Sequence, residues 1–278
     1  MNTARLNPNL SASALGLFSA CERLFEYKYV HPRTWPGPNS IDQEAEERTL
    51  QAGQRLHQLL HMAARGLEID SLAASTPETA RWVRAYASSP YAQTQGEIFS
   101  EQALMFSLGG RKIIAKVDRI IKSGDTWTII DWKTSRRAPN AEALRRDWQA
   151  RIYPLALVEA GTVLNGGKPI RPSQVETLFV YLEPNITRRL TFDDARRKES
   201  LDTLQTAVES INRAEQNGFS ATGKATGRCT RPLCQYYSLC HMEAPPPAVV
   251  ETTPPTEVPE ERLALFDEFE FDDEPIIL

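Results

Sequence analysis

The stretch 115–153 most constrains the fold, because acidic residues stand at the ends of apolar runs there. One run leads to Asp118 and the next leads to Asp131. This pattern, with turn residues between the runs, predicts three strands joined by tight turns between Glu101 and Thr134. The turns lie at Gly109-Gly110 and Ser123-Gly124-Asp125.

The two acids and a nearby lysine predict a cation site. Lys133 follows Asp131 by two residues, so both side chains lie on one face of the third strand. Two carboxylates on adjacent strands repel each other unless a cation lies between them. We therefore predict a hard divalent ion and an activated water beside Asp118 and Asp131. An exposed ion pair between Asp131 and Lys133 is the simpler alternative, but it does not explain Asp118 on the neighbouring strand.

Length and composition are those of a soluble globular protein. The chain has 278 residues, of which 41% are hydrophobic and 24% charged, enough for one large domain or two small ones. No apolar run reaches the ~20 residues of a membrane span, and no signal-peptide pattern is present, so we predict a cytoplasmic protein. The sequence also lacks a glycine-rich phosphate-binding loop ending in Gly-Lys-Ser/Thr, which excludes that class of NTPase.

The net charge of -4 hides an uneven distribution. Residues 244–278 carry ten acids and one arginine, so the rest of the chain is at +5. A basic body with an acidic tail is typical of nucleic-acid-binding proteins, although an ordinary body with a solubilising tail fits the charges equally well. The proline-rich and acidic composition after Ala244 predicts disorder.

Apolar periodicity predicts helices on both sides of the strands. Ser11–Tyr29 is predicted as a helix that carries Cys21, and Asp42–Ala64 as a helix with Gly53 and His57 one turn apart. The other predicted elements are helix Pro77–Ala87, helix Ala141–Ala160, strand Val175–Leu182 and helix Phe192–Gln216.

The four cysteines favour metal ligation over disulfides in a cytoplasmic protein. Three of them lie within a span of twelve residues inside the segment 220–241. This segment has weak apolar periodicity, so something other than a hydrophobic core must order it. From the residues alone, zinc and an iron–sulfur cluster both fit, since both use four thiolates. Unligated buried cysteines are the alternative. The four are Cys21, Cys229, Cys234 and Cys240.

Taken in order, these residues resemble the PD-(D/E)XK nuclease superfamily. The likeness is to its RecB-like type, in the iron–sulfur branch with the AddB nuclease domain and CRISPR-associated exonucleases. That branch has a Cys, a Gly-x-x-x-His helix, an Asp on a strand, an Asp/Glu-x-Lys on the next, a Gln-x-x-x-Tyr helix and three more Cys. The resemblance covers residues 8–242, with Val117 in place of the name-giving proline. The matching residues are Cys21, Gly53, His57, Asp118, Asp131, Lys133, Gln149, Tyr153, Cys229, Cys234 and Cys240.

The resemblance implies an α/β fold: a restriction-endonuclease-like core with a central mixed β-sheet flanked by helices. A helical part stapled by an iron–sulfur cluster would join both ends of the domain. The domain would span residues 1–243, followed by the tail 244–278. The implied activity is metal-dependent hydrolysis of DNA phosphodiesters, on single strands or DNA ends, in repair, recombination or defence. The rival functions are a non-catalytic DNA-binding or scaffold subunit of a helicase–nuclease complex, and a zinc-stabilised interaction module.

The resemblance also implies roles for the site residues. Lys133 would position or deprotonate the attacking water and donate to the phosphate, while Gln149 and Tyr153 would orient the DNA strand or Lys133. The cysteines would hold a [4Fe–4S] cluster, favoured by their one-plus-three layout, with Zn²⁺ as the alternative. Mg²⁺ or Mn²⁺, the latter favoured by an imidazole ligand, would bind to His57, Asp118, Asp131 and the carbonyl of Trp132.

Two further sets of residues are candidates for contacts with nucleic acid. Basic side chains near the site could contact phosphates, and aromatic ones could stack on bases, although most such aromatics belong to cores. The basic candidates are Lys116, Arg119, Arg136, Arg137, Arg145 and Arg146. The aromatic candidates are Trp132, Tyr153, Tyr236 and Tyr237.

The acidic tail contains two candidate docking peptides. Arg262–Phe266 resembles the peptide that binds the bacterial sliding clamp, with Arg262 in place of its usual Gln. Phe271–Leu278 resembles the terminal tail of single-strand-binding proteins. Either would recruit a sliding clamp or a helicase. A solvated tail with incidental apolar residues is the alternative.

Overall fold

The computed structural model describes residues 9–33, 41–69, 76–92, 95–225, 227, 229, 234 and 236–241, with backbone alone for 41–50 and 238. The chain divides into two units, Met1–Tyr237 and Ser238–Leu278. Of the second unit only 238–241 are described. The predicted disordered tail and its two docking peptides therefore lie outside the described residues.

A five-stranded mixed sheet is the centre of the first unit. Its strands follow each other in chain order, and every pair is antiparallel except β3–β4, which is parallel. The predicted three-stranded meander is β1 to β3, and the parallel pair requires the crossover that carries a helix. This mixed sheet flanked by helices confirms the predicted α/β core. The strands are β1 Glu97–Leu108, β2 Arg111–Ser123, β3 Thr126–Lys133, β4 Val175–Tyr181 and β5 Ile186–Thr191.

Strand β5 was not predicted, because its sequence has little apolar periodicity. In Ile186–Thr191 only Leu190 is buried, and Arg188 and Arg189 are neighbours in the strand. Short, charged strands are typical of sheet edges, where they discourage pairing with other chains. The strand forms through its ladder to β4 rather than through its own hydrophobic pattern.

The helices agree with most of the predicted bounds, and side-chain caps explain where several begin. Ser11, Thr76 and Asp193 each accept a hydrogen bond from a backbone N–H three residues on. The helices are α1 Ala12–Ala20, α2 Glu22–Phe25 with a π-helical continuation Glu26–Val30, α3 Ile41–Ala64, α4 Pro77–Ala87, α5 Ala141–Arg145, α6 Trp148–Ala160, α7 Asp194–Asn217 and α8 Tyr237–His241. Among the described helices, none has the length and apolar character needed to cross a membrane.

Two predicted helices are each broken into two. Cys21 has an extended backbone, with φ -168° and ψ 122°, between α1 and α2, so its predicted position on a helix is wrong. Asp147 is also extended and accepts a hydrogen bond from the Gln149 N–H at 2.7 Å, which caps α6. This local bond ends one helix and starts another, and it places Gln149 in the first turn of α6.

The sheet separates two layers of helices. Ile129 packs in the cluster that includes α1, α6 and α7, whereas Ile130 packs in the cluster that includes α3 and α4. Neighbouring strand residues face opposite sides, so both are fully buried. The predicted buried side of α3 is confirmed, since Leu56, Leu59 and Leu60 are at most 2% exposed.

Candidate active site

The acidic residues lie where β2 and β3 separate. Their antiparallel ladder runs from Ser123↔Thr126 to Arg119↔Ile130 and then stops. Asp118 and Asp131 are the next residues on the two strands. The backbone N–H of Trp132 donates to Asp118 Oδ2 at 2.9 Å, so a carboxylate replaces the backbone partner that a continued ladder would supply. The end of the β2–β3 pair therefore brings the two strands' acids to one place.

Asp131 is a buried carboxyl beside a lysine. It is 2% exposed, and Lys133 Nζ lies 2.6 Å from its Oδ2, as expected for side chains on one strand face. Burial raises the pKa of Asp131 to about 6, with the charge of Lys133 opposing this and the charge of Asp118 adding to it. Burial thus makes the ionised form less favourable than in water, and a further cation nearby would stabilise it.

His57 reaches the same place from α3. Its Nδ1 lies 3.1 Å from Asp118 Oδ2. Burial lowers the pKa of His57, but the hydrogen bond and charge of Asp118, with the charges of Asp131 and Glu101, raise it above its ordinary value. Helix α3 passes close to the end of β3, since a Cβ at Gly53 would lie 3.8 Å from Oγ1 of Thr134, the residue after β3.

Glu101 belongs to the site, and the sequence interpretation missed it. The β1–β2 ladder skips the pair Glu101 and Asp118, between Ser100↔Arg119 and Gln102↔Val117. Glu101 has φ 53°, a left-handed conformation that is uncommon outside glycine and that concentrates at functional sites. One sequence signal could have found it: Glu101 and Asp118 are equidistant from the turn at Gly109-Gly110.

His57, Glu101 and Asp118 form a candidate metal site. One ligand atom from each lies within 4.8 Å of the others, and in the described part of the chain no other group of three or more such residues meets this spacing. Imidazole nitrogen and carboxylate oxygens suit Mg²⁺ or Mn²⁺, so the donor set fits the predicted ion. Asp131 lies outside this tight group and acts on it through charge. Ligation by the carbonyl of Trp132 stays a prediction.

A chain of hydrogen bonds runs from Lys133 into α6. Lys133 Nζ donates to Gln149 Oε1 at 2.5 Å, and Gln149 Nε2 donates to Tyr153 Oη at 2.9 Å. Burial lowers the pKa of Lys133, but the charge and hydrogen bond of Asp131 outweigh it, and the net shift is upward. Burial and the charge of Asp131 raise the pKa of Tyr153 well above its usual value. Both groups therefore keep their protons at neutral pH.

Comparison with known proteins shows the family of the chain. Residues 9–241 match the PD-(D/E)XK nuclease superfamily. The chain belongs to this superfamily. No curated protein matches the chain.

Two solved structures resemble the superfamily member described here. A candidate exonuclease from Eubacterium rectale is 14% identical, with a TM-score of 0.54, covering 89% of this chain and 93% of that one. The protein SSO0001 is 12% identical, with a TM-score of 0.43, covering 86% and 88%. At 14% identity, the likeness to the Eubacterium rectale protein shows the fold alone. The RecB-like type of the superfamily stays a prediction.

One candidate phosphate contact of this superfamily member is wrong, because the side chain is buried. Arg119 is 2% exposed, so it is not available to a DNA phosphate. Trp132, Tyr153 and Tyr236 are at most 6% exposed, which agrees with the alternative that these aromatics belong to the core. Arg136, by contrast, is 78% exposed and pairs with Glu183 just beyond the end of β3.

The two ends of the superfamily domain are joined by hydrogen bonds. The Glu22 N–H donates to Thr222 Oγ1 at 3.0 Å, and the Arg23 N–H donates to the carbonyl of Ser220 at 3.1 Å. The rings of Phe25 and Phe219 lie 6.0 Å apart. These contacts span about 200 residues of sequence and bring α2 against the segment that precedes the later cysteines.

Three of the predicted cysteine ligands converge here, and we call Cys21, Gly223, Cys229 and Cys234 the cysteine region. A Cβ at Gly223 would lie 3.2 Å from Cys21 Cβ and 3.6 Å from Cys229 Cβ, so glycine permits the close approach. Burial raises the pKa of Cys234, and the charges of Cys229 and Cys21 add to this. Cys240 belongs to the second unit, and its part in the site stays a prediction.

Proposed function

We propose that this chain is a metal-dependent nuclease that hydrolyses DNA phosphodiester bonds, on single strands or at DNA ends. The observation that carries the proposal is the group His57, Glu101 and Asp118, whose ligand atoms lie within 4.8 Å of one another. Membership of the nuclease superfamily supports the reaction class. The choice of DNA, and of strands or ends, rests on the RecB-like resemblance.

His57, Glu101 and Asp118 would hold Mg²⁺ or Mn²⁺, with Asp131 and the Trp132 carbonyl as further candidate ligands. A bound divalent ion of this kind lowers the pKa of a water and screens the charge that develops on the phosphate. The raised pKa of Asp131 supports this assignment, because a buried carboxylate gains stability when a cation approaches.

Lys133 would act as a charged donor. Its pKa is raised by Asp131, so in the metal-free protein it carries its proton and points it at Asp131 and Gln149. Such a donor can orient the attacking water and stabilise charge on a phosphate oxygen, which is the larger catalytic effect. This favours positioning and charge stabilisation over proton abstraction by Lys133.

Gln149 and Tyr153 would hold Lys133 in place. Gln149 accepts from Lys133 and donates to Tyr153, whose buried hydroxyl fixes the amide orientation. A lysine restrained in this way needs little reorganisation during the reaction.

We also propose that the cysteine region binds a [4Fe–4S] cluster, with Zn²⁺ as the alternative. The charges of Cys21 and Cys229 act on Cys234, so the three side chains lie near one another. The one-plus-three layout of the four cysteines in the sequence favours the cluster, whose binding would tie the two ends of the domain together.

The proposal is tested by incubating the purified full chain with end-labelled single-stranded DNA, duplex DNA and RNA of one sequence. We expect DNA cleavage with Mn²⁺ or Mg²⁺, none with EDTA, and none after Lys133→Met. Lys168→Met, which changes an exposed lysine away from the site, is the matched control. DNA binding without cleavage by the wild-type chain would instead support the scaffold function, and cleavage of RNA alone would contradict the DNA assignment.

A further inference from the structure

Arg119 is a buried arginine next to Asp118. It is 2% exposed, and its three hydrogen bonds in the described structure go to uncharged acceptors. Nη2 donates to the Leu60 carbonyl at 3.3 Å and to Tyr86 Oη at 3.2 Å, and Nη1 donates to the Tyr91 carbonyl at 3.3 Å. Charged side chains are seldom buried without an acidic partner, so this arrangement calls for an explanation.

Two aromatic rings hold the same guanidinium. Its central carbon lies 5.6 Å from the ring centroid of Tyr86 and 5.8 Å from that of Trp132. The two rings meet edge to face, with centroids 5.0 Å apart and an interplanar angle of 79°. A flat, delocalised cation suits such a pocket better than an ammonium group, because guanidinium stacks on rings and is weakly hydrated.

These contacts connect the segments that supply the metal ligands. Leu60 follows His57 by three residues on α3, so Arg119 binds the helix within one turn of the histidine. Trp132 lies between Asp131 and Lys133, and its N–H holds Asp118. The backbone of α3 makes no ladder with the sheet, so side chains, including Arg119 on the Leu60 carbonyl, must set the distance of the helix from the sheet.

We propose that Arg119 is a positioning residue that sets the separation of His57, Asp118 and Asp131 for the divalent ion. This role rests on the proposed function, since it concerns the same metal site. Arg119 touches neither the ion nor the DNA. Its rigid, branched group fixes α3, β2 and Trp132 relative to one another, and a ligand displaced by a fraction of an ångström binds the ion less tightly.

The chain offers a matched control on the same strand. Arg111 also lies on β2 and is 5% exposed, but it binds α7. Its Nε donates to Asn212 Oδ1 at 2.8 Å and its Nη2 donates to Glu215 Oε2 at 2.5 Å. Changing Arg111 therefore reports the general cost of altering a buried arginine, while changing Arg119 adds the effect on the site.

The experiment compares Arg119→Lys and Arg111→Lys in the full chain, by thermal unfolding and by Mn²⁺ binding measured with electron paramagnetic resonance in the absence of DNA. We expect both variants to unfold at lower temperature and Arg119→Lys alone to bind Mn²⁺ about 10- to 100-fold more weakly. The Mn²⁺ concentration for half-maximal cleavage should rise in proportion, while the rate at saturating Mn²⁺ stays within a few fold. Tyr86→Phe, which removes one acceptor and keeps the arginine, should weaken Mn²⁺ binding a few fold even if Arg119→Lys does not fold.

Unchanged Mn²⁺ affinity in both Arg119→Lys and Tyr86→Phe would overturn the proposal, and so would equal weakening in Arg111→Lys. These outcomes differ from failure of the proposed function. Wild-type protein that binds Mn²⁺ but cleaves no nucleic acid would contradict the nuclease assignment, while the Mn²⁺ affinities of the variants would still decide the role of Arg119.

Discussion

The acidic site and the cysteine region both gather candidate metal ligands, but they are built differently. The acidic site, formed by His57, Glu101, Asp118, Asp131 and Lys133, stands on neighbouring strands and one long helix. The cysteine region joins a break between two short helices to a 3₁₀ turn, Thr222–Lys224, and the residues after it. Backbone ladders between strands position the acids and the lysine of the acidic site. Separate local contacts position the cysteines.

This difference implies that the two sites depend on their ligands in different ways. The acidic site stands on paired strands, and it includes a buried carboxyl whose pKa is raised to about 6. The cysteine region has little core of its own, so the free energy of binding a metal group there would become free energy of folding. Changes at the acidic site should therefore lower rate, and changes in the cysteine region should lower stability.

The largest effect is expected from Asp131→Asn. It removes the negative charge beside Lys133, so the cleavage rate should fall by about 10³-fold or more, while the unfolding temperature changes by a few degrees at most. Single-turnover cleavage and thermal unfolding measure the two quantities. Asp125→Asn, in the exposed turn before β3, is the control and should leave both unchanged. A rate loss below tenfold would remove the acidic site from catalysis.

Cys21→Ala should lower the unfolding temperature and nearly keep the cleavage rate, the opposite of Asp131→Asn. We expect loss of any absorbance near 400 nm and an unfolding temperature lower by about 10 °C, as for a loss of several kcal/mol. The cleavage rate per folded molecule should stay within a few fold, because Cys21 lies between α1 and α2, outside the acidic site. A variant with wild-type unfolding temperature and reduced rate would reverse the comparison between the two sites.

Glu101 allows the ligand and the backbone to be tested separately. Glu101→Gln should weaken Mn²⁺ binding about 10- to 100-fold by removing a charged ligand. Glu101→Gly should weaken it as much but stabilise the fold by about 1 kcal/mol, since glycine adopts φ 53° without strain. Mn²⁺ titration and chemical unfolding distinguish these effects. Equal Mn²⁺ affinity in wild type and Glu101→Gln would exclude Glu101 as a ligand.

The pKa shifts predict how pH acts on the acidic site. Asp131 has a folded-state pKa of about 6 against an ordinary value of 3.8, so its contribution to stability is complete below the lower value and is lost as pH rises through 6. Protons on Asp131 and His57 both compete with the ion, so Mn²⁺ affinity should rise by up to about 100-fold per pH unit below pH 6 and less steeply above it. The Mn²⁺ affinity should keep rising above pH 6.5, because the pKa of His57 is raised above its ordinary value of 6.5 and the imidazole loses its proton only there. Mn²⁺ titrations between pH 5 and 8 test this, and a flat profile would contradict it.

The site residues that could be predicted from the sequence are those whose positions follow from strand patterns and turn lengths. Asp118 and Asp131 each follow an apolar run, and two-residue turns set the strand register, so their meeting was predictable. Glu101 was missed because it does not end an apolar run as Asp118 and Asp131 do, and only its position opposite Asp118 across the Gly109-Gly110 turn signals it. Arg119 was misassigned for a different reason. Its charge and position suggested a phosphate contact, but partners from α3, α4 and β3 bury it, and no local signal reports partners so distant in sequence.

The smallest effect is expected from Tyr153→Phe, and it tests how finely the acidic site is arranged. The change removes the hydroxyl that accepts from Gln149 and leaves the Lys133–Gln149 bond in place. The rate should fall about 3- to 10-fold, the worth of one neutral hydrogen bond, with Mn²⁺ affinity unchanged. Tyr29→Phe, near α2, is the control and should not alter the rate. A loss as large as that of Asp131→Asn would mean that Tyr153 contacts the reacting groups directly. No loss would mean that packing alone holds the Gln149 amide, because the strand and helix already fix Lys133 without this hydroxyl.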